Sequence, residues 1–424
     1  MVTNKMLLYA EDVQNIAIIG HGTIDGNGDH WVEGPYGFPS FSKRPRIIHL
    51  RGCENILIRD ITLTNSASWV QSCKDLVIEG ITVDSRENKN IEKERYADVP
   101  GRNTDGLDLV DCERVRVSNC FISSGDDAIC LKSLSPDEAC RDITITNCIV
   151  SSNASGIKIG TETSGCFEDI TVTNCVVFDT RVDAISIMTV DGARMERIQF
   201  SNISCRNIKA SAIFIRLGKR LRTYRQEAAH HTPHLKNILF ENIQGTRISA
   251  DRGCIIAGLE DAKVENLVLR NIHLEFEGGG TAEDARRLIP EEEASYPNGK
   301  IFGRIPAYGF FIRQVRNLTL DNIQLRTFRP DHRPAIFCDK VENLTLTKLQ
   351  ADASPYAEAL VLLKNTQGVL IQGTQLPVPV NTLFRIQGKE SKDILLAGND
   401  FRNANNILSL AEEVSNDAAI IHNF

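Results

Sequence analysis

Asn103-Thr104-Asp105-Gly106 is followed, one short repeat later, by Ser124-Gly125-Asp126-Asp127. Unpaired carboxylates repel one another, so bringing three of them together is costly unless chemistry needs it. Hydrolysis of the bond between two sugars has that need. One carboxylic acid protonates the leaving oxygen while a carboxylate activates water. Any one of these aspartates, taken singly, reads equally well as a turn cap or a surface charge.

A repeated phrase positions them: a charged residue, then Asn, Asp or Arg, then apolar-x-apolar, a polar residue, Asn, and an apolar residue or Cys. It appears as Arg141-Asp142-Ile143-Thr144-Ile145-Thr146-Asn147-Cys148 and again as Glu168-Asp169-Ile170-Thr171-Val172-Thr173-Asn174-Cys175. Ile143, Ile170 and Ile198 are 27 and 28 residues apart, and Leu344, Val369 and Ile394 are 25 and 25 apart. Short alternating strands at such a period predict a solenoid of stacked coils, an all-β, single-stranded right-handed parallel β-helix. Stacking places like over like. Asn119, Asn147, Asn174, Asn202, Asn242, Asn271 and Asn322 then form a turn ladder, in which a left-handed backbone is tolerated. Cys120, Cys148 and Cys175 form an inward stack of small hydrophobes. The cysteine spacing matches no zinc template.

A second column aligns Asp105-Gly106-Leu107-Asp108-Leu109 with Asp127-Ala128-Ile129-Cys130-Leu131, then with Ser155-Gly156-Ile157-Lys158-Ile159 and the segments starting at Asp183 and Ser211. Side chains alternate along a strand, so the third and fifth places point inward and the others form an outward strip. With neighbouring strands about 4.8 Å apart, Asp105 and Asp127 become neighbours on that strip.

A solenoid grows in one dimension, so all 424 residues are read as a single domain. Insertions near 27–46, 85–102 and 278–308 break the repeat and are expected to build a binding face. The net charge of −7 argues against a nucleic-acid binder, and no apolar run nears the roughly 18 residues of a membrane span. Met1 to Ala10 lacks a basic segment followed by an apolar core, so no secretory signal is read. The chain as given is therefore expected to be cytoplasmic, or secreted or periplasmic if its true start lies upstream. The repeat begins by Val13, so the N-terminal cap a solenoid needs is read as missing. That end then offers a route to a homo-oligomer.

His21-Gly22-Thr23-Ile24-Asp25-Gly26-Asn27-Gly28, the Asn103 motif, Gly125-Asp126-Asp127 and Gly156-Ile157-Lys158-Ile159-Gly160-Thr161-Glu162 occur in that order. Together they resemble glycoside hydrolase family 28, the polygalacturonase and rhamnogalacturonase family, across roughly residues 10–350. The resemblance implies inverting hydrolysis of a pectic, acidic polysaccharide or oligosaccharide on a right-handed parallel β-helix, without metal or cofactor. It implies that Asp126 is the general acid and that Asp105 and Asp127 position and deprotonate the water.

Two motifs depart from the family. Ala154-Ser155-Gly156 stands where Gly-His-Gly is usual, and Ser186-Ile187-Met188 where Arg-Ile-Lys is usual. The usual basic residues hold a uronate carboxylate, and a hydroxyl with a thioether does not replace them. Lys158, one coil earlier, and Arg216, one coil later, stand in the same columns and are read as a rebuilt clamp. Asn103, Ser155, Lys158, Glu162 and Arg216 are thus the substrate-binding candidates. Glu162 also favours exo attack. Lys219, Arg220, Arg222 and Arg225, with His230, His231 and His234 after them, read equally as a clamp or a solvated loop. Trp31 in the first insertion reads equally as a sugar platform or as packing, while Tyr308 and Arg313 are outlying contact candidates. A polysaccharide lyase on the same scaffold, with calcium among the carboxylates, and a non-catalytic glycan-binding β-helix are the competing readings.

Overall fold

The computed structural model describes residues 6–27, 45–65, 73–86, 103–224 and 232–422. Trp31, Arg225, His230 and His231, with most of the 27–46 and 85–102 insertions, lie outside them. The described residues are almost all strand and parallel-paired, the only helical elements among them being short 3-10 turns such as Asp284–Arg286 and Gly299–Phe302. The fold is the expected parallel β-helix. It comprises two compact units, Met1–Met195 with Leu221–Thr232, and Glu196–Arg220 with Pro233–Phe424.

In the first unit the strands Leu107–Val110, Ile129–Ser133, Ile157–Thr163 and Ile185–Thr189 stack in register. Leu107 lies over Ile129, then Ile157, then Ile185. All four are buried with Leu109, Leu131, Ile159 and Ile187. Burying one such side chain contributes about 1.5–3 kcal/mol, so a register held over four coils is strongly specified. A second stack runs from Leu76 to Val115, Ile143 and Ile170, so the 27-residue step read between the last two is a true coil height.

The corners turn on residues with positive φ. Asn119, Asn147 and Asn174 sit at φ 57°, 55° and 56°, where Asn is among the few side chains tolerated. In the second unit the Asn242 amide donates to Asn202, Asn271 to Asn242, and Asn322 to Asn271, each at 2.9 Å. A second ladder, Asn237, Asn266, Asn317 and Asn343, runs at the other corner and was not singled out from the sequence. Cys120, Cys148 and Cys175 are buried and free, as read, and none of the twelve cysteines forms a disulfide.

The second unit carries the same coil at other steps. Ile238 lies over Leu267, Leu318, Leu344, Val369 and Ile394. Between the strands Val264–Gly278 and Phe310–Arg329 the chain leaves the ladder, at the predicted insertion. Buried Arg333 fastens that departure. It pairs with Asp331 and donates to the carbonyls of Ile305 and Ala250 at 3.0 and 2.6 Å.

Candidate active site

All three predicted aspartates lie in the first unit, at the mouth of the Leu107 and Ile129 strands. Gly106 lets them meet. Its N–H donates to Asp127 O at 2.8 Å, and a Cβ there would stand 2.6 Å from Ala128 O and 2.4 Å from the Ile122 side chain. No larger residue permits that approach, so Asp105 is drawn against the coil that carries Asp127. Gly156 has the same role in the next coil but one, with Ala184 O 2.9 Å from the position of a Cβ.

Asp126 and Asp127 occupy a corner between the strands Phe121–Ser124 and Ile129–Ser133. The hydroxyls of Ser124 and Ser152 both donate to the Asp126 carbonyl, which fixes the backbone. The Asp126 carboxyl accepts the Asn103 N–H at 2.8 Å and the Asp127 N–H at 3.0 Å. Desolvation first, then the charges of Asp105 and Asp127, push this carboxyl up to about 7, against the Asn103 N–H and Lys158. A half-buried acid in that range holds its proton near neutrality and can still deliver it.

Asp127 takes donors on both oxygens, the Ser155 N–H at 3.0 Å and the Lys158 ammonium at 2.6 Å. Asp105 accepts from Lys132 at 3.0 Å on Oδ2, and burial raises its carboxyl above the ordinary range. Lys132 Nζ also lies 3.0 Å from Asp108 Oδ1, an ion pair without hydrogen-bond alignment, and 3.9 Å from Glu162. Lys132 and Asp108 are only 3% and 1% exposed. Neither was picked out from the sequence, although Asp108 stands in the column of Lys158. Lys132 lies two residues beyond that column, next to the end of its strand, and gave no signal in the repeat.

The substrate-binding candidates divide. Asn103, Ser155, Lys158 and Glu162 border the aspartates, through the backbone N–H for Asn103 and Ser155 and through the Asp127 pair for Lys158. Arg216 is in the second unit, 1% exposed, donating to Glu291 O and stacked over Phe302 at 5.4 Å. Arg313 does likewise, donating to Ile289 O and Pro290 O at 2.7 and 2.9 Å. The two guanidinium groups hold the inserted 289–291 segment. Tyr308 is buried, its hydroxyl on Asp352 O at 2.6 Å. Where Arg-Ile-Lys was missing, Ser186 is buried with its hydroxyl on Asp183 at 2.9 Å, and Met188 is buried too. Arg222 stacks over Tyr224 at 5.4 Å in the first unit, and its N–H donates to Asp191.

Over 260 residues the chain is 25% identical to a polygalacturonase of Persea americana, covering 58% of this chain and 51% of that one. Over 290 residues it is 26% identical to exopolygalacturonase B of Aspergillus niger, covering 64% and 63%. The chain thus matches between about half and two thirds of the length of these curated relatives, 51% and 63%. Among solved structures, a hyperthermoactive exopolygalacturonase from Thermotoga maritima superposes with a TM-score of 0.56 at 20% identity, over 76% of this chain and 72% of that one, which supports the fold. The family model for glycosyl hydrolases family 28 matches residues 3–292, and the chain belongs to that family.

Proposed function

We propose that the protein hydrolyses a glycosidic bond of a pectic polysaccharide or oligosaccharide by a single inverting displacement. Asp126 gives its proton to the leaving oxygen as the bond to the anomeric carbon breaks. A water held by Asp105 and Asp127 attacks that carbon from the opposite face and yields its proton to one of them. The leaving oxygen gains the proton that Asp126 loses, and the carboxylate gains one from water, so charge and atoms balance.

The observation that carries this reading is the asymmetry of the trio. Asp126 is pushed up to about 7 and its carboxyl accepts two backbone N–H groups, while Lys132 and Lys158 sit on Asp105 and Asp127. A carboxyl in that range suits the acid's role near neutrality. Glu162, at the edge of the site, fits attack from a chain end, and the curated exopolygalacturonase relative agrees with that mode.

Incubation with a panel of pectic oligosaccharides, followed by proton NMR of the newly formed reducing end, tests the proposal. Release of sugar with inverted anomeric configuration is expected. An unsaturated product absorbing in the ultraviolet, its formation abolished by EDTA, would replace hydrolysis with elimination. Binding without turnover would make the protein a glycan binder.

A further inference from the structure

Lys132 is placed unlike an ordinary buried cation. It is flanked by two carboxylates, Asp105 at 3.0 Å and Asp108 at 3.0 Å, with Glu162 at 3.9 Å. A structural ion pair needs one partner, and even that is costly to desolvate. Here one ammonium serves two carboxylates that are both almost wholly buried. The two oxygens of Asp105 also differ. Oδ2 takes Lys132, whereas Oδ1, equally buried, has no hydrogen-bond partner among the described residues. Buried carboxylate oxygens are seldom left so.

We infer that Lys132 is a positioning residue for the reaction: shared between Asp105 and Asp108, it favours the ionised form of Asp105 and fixes where that carboxylate stands. The inference rests on the hydrolase reading above and extends it by two residues outside the three aspartates.

The charged groups around this cluster are few. Asp105 faces Lys132, Asp127, Lys158, Asp108 and Asp126. Asp108 faces Asp105, Lys132, Asp127 and, from the strand Arg46–Arg51, Arg46. Lys132 faces both aspartates, Glu162 and the Cys130 thiol. Burial and the charge of Asp105 drive the Asp108 carboxyl well above its usual range, and burial raises that of Asp105 against the pull of Lys132. Coupled carboxyls titrate as a pair, so the acid limb of the pH profile reports them together.

The test is the pH dependence of kcat and kcat/KM for K132M, K132R and D108N, each checked for folding by circular dichroism. K132M is expected to lose roughly 100-fold in kcat with little change in KM. Its acid limb should move up by about 1–3 pH units, because Asp105 loses its cation. K132R should return the limb and most of kcat. D108N, the variant least disturbing to the fold, should move the limb the other way, since Lys132 is then left to Asp105 alone. A structural role would lower activity equally at every pH, and limbs unmoved in folded K132M and D108N overturn the inference. Carbon-13 NMR of the Asp105 carboxyl, assigned with D105N, gives the same answer without turnover. Its midpoint should fall in D108N and rise in K132M. If wild type cleaves no pectic glycan, the hydrolase reading fails by itself, and an unmoved Asp105 midpoint separately refutes the hold of Lys132.

Discussion

Backbone N–H groups of Asn103 and Asp127 orient the Asp126 carboxyl, and ammonium groups lie on Asp105 and Asp127. Replacing Asp126, as D126N, keeps the shape and removes the transferable proton. A drop in kcat of about 10²–10⁴-fold with an unchanged circular dichroism spectrum is expected, and assay on the best pectic substrate checks it. The same proton sets the alkaline limb. Because the acid works only when protonated and its carboxyl is pushed up to about 7, kcat/KM should fall about tenfold per pH unit above that value. A limb several units higher would take Asp126 out of this role.

At the scale of the strand, Gly106 and the amide ladders decide how closely coils approach. G106A places a methyl against Ala128 O and Ile122. A loss of about 1–3 kcal/mol is expected from overpacking, measurable by urea unfolding, together with a fall in kcat as Asp105 is pushed from Asp127. In the second unit, N271A interrupts the ladder between Asn242 and Asn322 and takes Asn from a backbone at φ 54°. A cost of about 1 kcal/mol or more is expected from one lost amide bond and an Ala forced into the left-handed region. The strip of aspartates was legible at this scale because a period of two along the strand and one coil between strands suffice to place Asp105 beside Asp127. Lys132 was not. A long side chain at a strand end obeys no periodicity, and its reach across the coils to Asp105, Asp108 and Glu162 is a matter of three dimensions.

Across the whole chain, repeating coils make the inserted segments, more than the coils, the variable element. In the second unit Arg333, Arg216 and Arg313 are all buried and donate to backbone carbonyls, Arg333 also to Asp331. R333M would strand Asp331 in the interior. A destabilisation of about 3–5 kcal/mol is expected, read as a lower urea midpoint. Arg216 shows how a column alignment misleads. Its place along the strand matched an outward position, yet the 289–291 segment covers it and takes its hydrogen bond.

Coil height, strand alternation, the asparagine corners and the identity of the three aspartates were all written in one dimension, because each depends on spacing along the chain. Which cation sits on which carboxylate was settled by folding alone: Lys158 on Asp127, Lys132 between Asp105 and Asp108, and Arg216 under an insertion. Those pairings depend on how far side chains reach between stacked coils and on what covers them, and no linear spacing encodes either.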